Sequence, residues 1–120
     1  MRMTCLQTWK KTVKKIKFLK YADDDMADMK KSVVRNFGKD AYLAILKTIK
    51  FDLNLLKDFP EMGRVPDEFE EFNLAQYRQI ISAKNRIIYQ VSDDVIFVHV
   101  VCNFRRDLKT LLIQRILKST

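Results

Sequence analysis

Six side chains between residues 78 and 106 are suited to chemistry: Arg78, Lys84, Arg86, His99, Arg105 and Arg106. A guanidinium carried by a rigid strand grips phosphate or carboxylate with paired hydrogen bonds. Arg86 opens, and Arg105 and Arg106 close, the stretch NRIIYQVSDDVIFVHVVCNFRRD, two apolar runs joined at Asp93-Asp94. His99 is the only histidine, and imidazole is the side chain whose ordinary pKa suits proton transfer near neutral pH. Its plainer reading is a strand residue with a satisfied ring. Strand side chains alternate, so the turn decides its face. A two-residue Asp93-Asp94 loop puts His99 beside Arg86, and a three-residue Ser92 to Asp94 loop puts it on the opposite face.

No cofactor or metal is expected. One His and two distant Cys lack metal-ligand spacing, and Gly38 and Gly63 do not make a phosphate loop. Cys5 and Cys102 do not resemble a disulfide framework, which suits a reduced, cytoplasmic protein. The longest apolar run, Val95 to Cys102, is interrupted by His99 and falls far short of a membrane span. The net charge of +8 favours anionic partners without choosing among nucleic acid, membrane surface and acidic protein. Its distribution is uneven. The first 22 residues carry seven basic side chains and no acid, whereas Asp58 to Glu71 is acidic except for Arg64. The 120 residues suffice for one core, read as a basic extension over 1–14 and a single domain over 15–120.

The elements that must position these side chains follow from pattern. Leu6, Trp9, Val13 and Ile16 stand near helical spacing in the extension, and Trp9 argues that part of it packs on something. KIKFLKY (15–21) reads as a first strand. A helix follows over 23–36, with Asp23 to Asp25 at its start, where free backbone N–H groups favour negative charge. Met26, Met29, Val33 and Phe37 form its apolar stripe, and Gly38 ends it. A second helix runs from Asp40 to about Asp58, its core face made by Tyr42, Ile45, Leu46, Ile49, Leu53 and Leu56. Phe59-Pro60 stops it, and PEMGRVP is a turn-rich connection in which Arg64 reads as a surface or capping charge. Three strands follow: Gln76–Ser82, Arg86–Val91 after a turn at Ala83-Lys84-Asn85, and Val95–Asn103. Residues 107–118 read as a short basic helix. The order β-α-α-β-β-β predicts an α+β domain, a helical hairpin packed on a small, twisted, antiparallel-rich sheet.

In order and spacing, YADDDMADM, FGKDA, LKDFPEMGR, YRQII, NRIIYQV and RRD resemble the ParE/RelE superfamily of bacterial type II toxins. The FG…A and L…FP..GR pieces look more like the ParE branch. The resemblance implies a small toxin neutralised by a co-expressed antitoxin laid over its sheet and grooves. RelE-type relatives cleave messenger RNA on the ribosome, and ParE-type relatives inhibit DNA gyrase. Metal-independent RNA cleavage needs a base for the 2′-OH, a cation for the phosphate and an acid for the leaving oxygen. By resemblance Arg86 and Arg106 would hold phosphate, and Arg78 and Arg105 are further candidates for phosphate or target binding.

The chain also departs from the nuclease pattern. Asn103 stands where relatives often have His, and Leu112 where the RelE-type tyrosine would be. Lys84, His99 and Tyr89 remain as proton carriers, with Tyr89 read first as a packed sheet residue. The resulting order of functions is a gyrase-inhibiting toxin, a ribosome-dependent endoribonuclease, and a non-toxic basic binding module.

Overall fold

The computed structural model describes residues 14–70, 76–103, 110, 111, 114 and 115. The expected basic extension, apart from Lys14, and the candidates Arg105 and Arg106 lie outside them. So does Leu112. In chain order the elements are β1 (Lys15–Phe18), α1 (Lys20–Phe37), α2 (Lys39–Asp58), α3 (Asp67–Glu70), β2 (Tyr77–Ser82), β3 (Asn85–Val91) and β4 (Val95–Asn103). Residues 110, 111, 114 and 115 are helical. The four strands form one mixed sheet in the order β1-β4-β3-β2, with β1 parallel to β4 and the rest an antiparallel meander. This is the expected α+β arrangement.

The junction of β1 and α1 differs from expectation. The strand ends at Phe18 and the helix begins at Lys20, so Asp23 to Asp25 lie inside the helix. Leu19 donates its N–H to the Val98 carbonyl at 3.0 Å, and its own carbonyl accepts from Asp23 N–H at 2.9 Å. One residue thus closes the strand ladder and opens the helix. Gly38 links α1 and α2 at φ 94°, and its N–H caps the Val34 carbonyl. Only a residue without Cβ takes that backbone conformation cheaply.

Cross-strand partners share a face, so the registers sort the sheet into two sides. On one side Ile80, Ile87, Tyr89, Ile96, Val98 and Val101 pack under the helices against Ala22, Ile49, Leu53 and Leu56. On the other, Tyr77, Ile88, Val100 and Cys102 pack with Phe69, Val65 and Leu111. The short helix α3 was not expected, and its Phe69 roofs this second cluster. Met26 and Met29 of the α1 stripe join the first core. Phe37, expected to pack, is instead 75% exposed at the end of the helix.

Candidate functional site

The turn between β2 and β3 decides which face each arginine takes. Ser82 pairs with Asn85, leaving a two-residue turn at Ala83-Lys84, shorter than the three-residue turn expected. Both turn residues have left-handed φ, 50° and 64°, as a tight hairpin turn of this hand requires. Neither is Gly, so the turn costs on the order of 1–2 kcal/mol per residue. The Asn85 side chain steadies it by donating to the Ala83 carbonyl at 3.0 Å.

Arg78 pairs with Tyr89 and Arg86 pairs with Ile81. The two arginines therefore stand on opposite faces. Arg78 lies on the helix side and donates to the Gly63 carbonyl at 2.8 Å. It is committed to a backbone carbonyl there and does not join Arg86 around a common anion. Arg86 lies on the far side with Ile88 and Cys102 and is half-buried. Lys84 is exposed at the turn tip.

Tyr89 shows why the PEMGR segment needs its residues. The Tyr89 side chain is fully buried, and its hydroxyl donates to the Pro60 carbonyl at 2.9 Å and accepts from Gly63 N–H at 3.0 Å. Burial pushes its phenol pKa up, opposed by the Gly63 hydrogen bond and by nearby Arg78. A phenol held in this way is a structural strut and no proton carrier. A Cβ on Gly63 would come within 2.6 Å of the Gln79 carbonyl oxygen and closer still to the Tyr89 hydroxyl. Next to it, Arg64 exchanges two backbone hydrogen bonds with Gln79, at 3.1 and 2.7 Å, and so fastens the loop to the outer edge of β2. The Arg64 guanidinium makes an exposed 3.1 Å pair with Asp67, the surface role expected for it.

His99 sits in a β-bulge. The β3–β4 register shifts between Ile88 and Tyr89, with Ile88 opposite Val100 and Tyr89 opposite Val98. Ser92 N–H bonds the Val95 carbonyl at 2.8 Å, so the β3–β4 loop is the two-residue alternative. His99 consequently shares the far face with Arg86. Its Nε2 is 3.1 Å from Gln90 Oε1, and its ring meets Tyr77 edge-on with centroids 5.0 Å apart. Desolvation lowers its pKa, so the ring is neutral at pH 7 and donates to the Gln90 oxygen. Arg86 and His99 are separated along the sheet by about 10 Å, three strand residues.

A second polar constellation was not anticipated. The Asp25 carboxylate accepts from Val101 N–H at 3.0 Å and from both terminal nitrogens of Arg115. Because β1 ends at Phe18, the edge of β4 beyond Val98 has no strand partner there, and Asp25 supplies one acceptor. The side chains of Asp25 and Arg115 are 9% and 17% exposed, and the hydrogen bond to Asp25 raises the Arg115 pKa against burial. Arg115 also lies over the Tyr21 ring at 5.7 Å. No local pattern points to this cluster, since Asp25 is 76 residues from Val101 and 90 from Arg115. It lies at the head of a groove of about 720 Å³ between α1 and the β2–β3 turn, whose lining includes Met29, Val33, Phe37, Ile45 and Ala83.

Among the described residues, no group of three or more His, Cys, Asp or Glu is placed to hold a metal ion, and no helix is long and apolar enough to cross a membrane. Comparison with known proteins gives a match of residues 16–117 to the family model described as "ParE toxin of type II toxin-antitoxin system, parDE". No curated protein matches the chain. Among solved structures, a chain of the chromosomal ParDE toxin–antitoxin system from P. aeruginosa superposes with a TM-score of 0.63 at 14% identity, covering 77% of this chain and 97% of that one. At that identity the likeness is one of fold.

Proposed function

Because the chain belongs to the ParE toxin family of type II toxin–antitoxin systems, we propose that it arrests bacterial growth by binding DNA gyrase and is neutralised by a cognate antitoxin. The action is cytoplasmic and stoichiometric, a contact between proteins in which the chain does no chemistry of its own. The observation that carries this reading is the separation of Arg78, Arg86 and His99, among the described candidate groups. Arg78 is spent on the Gly63 carbonyl on the helix side. Arg86 and His99 are on the far side, and His99 is neutral, hydrogen-bonded and packed on Tyr77. A general acid or base must reach the reacting atom, and these groups do not converge on one. The far face, with Arg86, is the proposed target-binding surface, and Arg105 and Arg106, outside the described residues, are candidates from sequence for the same contact.

One observation favours a second reading, a ribosome-dependent endoribonuclease: Arg86 and His99 share a face, as a phosphate clamp and a proton carrier would. Lys84 and Arg106 would complete such a site. Mapping 5′ ends of cellular messages after induced expression tests the choice. Growth arrest without new codon-phased ends is the expected result. Codon-phased cuts that vanish in His99→Gln would establish the nuclease.

A further inference from the structure

We propose that two copies of this chain pair through α2, antiparallel about a two-fold axis, along an exposed stripe made by Ala44, Thr48, Phe51, Leu55 and Phe59. These residues recur at intervals of three and four, which keeps them on one side of a helix. Phe51 and Phe59 are 64% and 62% exposed. Ala44 and Thr48 are exposed as well, and Leu55 is half-buried. The core takes another side of α2. Ile49, Leu53 and Leu56 point into it, and Leu53 lies roughly 160° around the helix from Leu55. Met62 N–H bonds the Phe59 carbonyl at 3.0 Å, and the Met62 side chain prolongs the exposed apolar surface past the end of the helix. Aromatic side chains set in a row in solvent leave apolar area that favours a partner.

Charge says which partner. Lys47 and Asp58, both exposed, stand towards opposite ends of the stripe. They lie within roughly 20° of each other around the helix, so they share one flank. Among the described residues neither has an ion-pair partner within the chain. A surface with a cation at one end and an anion at the other is its own complement under a two-fold axis. Antiparallel pairing sets Phe51 against Leu55, Phe59 against Thr48 and Lys47 beside Asp58, each contact occurring twice. Parallel pairing would set lysine by lysine and aspartate by aspartate. Asp52 falls near the axis and faces its own copy, a like-charge contact that weakens the pair. Four phenylalanines losing roughly 100–150 Å² each, with their neighbours, bury on the order of 1,000 Å² over the two copies, the low end for a specific interface. The association is therefore weak, with a dissociation constant in the micromolar range. Because α2 lies on the helix side of the sheet, the far face of each copy stays open, and the dimer presents two of them.

Sedimentation equilibrium of the purified full chain should show a mass that rises from monomer towards dimer across the micromolar range. Phe51→Ser should raise the dissociation constant about tenfold or more with circular dichroism unchanged. Phe37→Ser, an exposed apolar change at the other end of the hairpin, should leave it as it is. Lys47→Glu and Asp58→Lys should each weaken self-association several-fold. Mixed together, these two variants should pair as tightly as the native chain, because opposite charges then meet at both contacts. A chain that stays monomeric up to millimolar concentration overturns the proposal, as does a dimer indifferent to Phe51→Ser. A mixture of the two charge variants no tighter than either alone overturns it equally.

Discussion

Arg78 and Arg86 stand on neighbouring strands, eight residues apart in the chain, yet their surroundings give them opposite work. On the helix side, Arg78 joins Tyr89 and Gly63 in a closed set of hydrogen bonds that clamps the Pro60–Arg64 loop to the sheet. On the far side, Arg86 lies in line with Ile88 and Cys102, on the face that also carries His99. Parity along the strand decides the difference. A three-residue turn would have set Arg86 opposite Ser82 and on the face of Arg78, because a slip of one residue exchanges the faces. Residue type says that an arginine can hold an anion, and register says whether it meets one.

This contrast can be broken by substitution. The largest effects belong to the helix side and its edges. Asp25→Ala removes the partner of the half-buried Arg115 and leaves Val101 N–H without its acceptor. It should cost about 3–5 kcal/mol in denaturant unfolding. Gly63→Ala drives a Cβ against the Gln79 carbonyl and the Tyr89 hydroxyl. Overpacking of this kind against backbone should cost about 3 kcal/mol by the same measurement. Arg78→Ala deletes one hydrogen bond to a carbonyl, and about 1–2 kcal/mol should be lost. Any change it makes in growth arrest should follow that loss of stability and no more.

His99 lies between the two regimes. Its folded pKa is below the ordinary value, because burial disfavours the charged ring. Unfolding therefore takes up a proton once the pH drops below the ordinary value of about 6.5. The stability contribution is complete above that pH and is lost as pH falls through the lowered folded value. His99→Gln should flatten this part of the stability–pH curve relative to the native chain. An unchanged curve would show that the imidazole is not held neutral by the sheet. The smallest structural effect is expected of Arg86→Ala, about 1 kcal/mol or less, with growth arrest weakened far more than stability.

The sequence pattern carries the sheet well where burial alone sets it. Val95–Asn103 is a strand with the bounds expected, because a run of Ile, Val and Phe has no other half-buried conformation to suit it. The start of α1 was not legible. Nothing in KIKFLKY separates strand from helix, and Leu19 closes the strand through Val98, 79 residues away. The Ala83-Lys84 turn was misjudged for a related reason. Left-handed positions usually advertise themselves by Gly or Asn, and here Ala and Lys accept the strain. Gly63 was legible as a turn residue, but its real constraint is the approach of the Tyr89 hydroxyl. Among the described candidates, Arg78 stands on the opposite face from Arg86 and His99, which residue type alone could not show.

The most direct test is gyrase supercoiling inhibition by purified native chain, Arg78→Ala and Arg86→Ala, each checked for native fold. The native chain and Arg78→Ala should inhibit alike, and Arg86→Ala should need about tenfold more protein, equivalent to about 1.4 kcal/mol of contact. Full potency in Arg86→Ala, or no inhibition by the native chain, would contradict the assignment of the far face as the gyrase-binding surface.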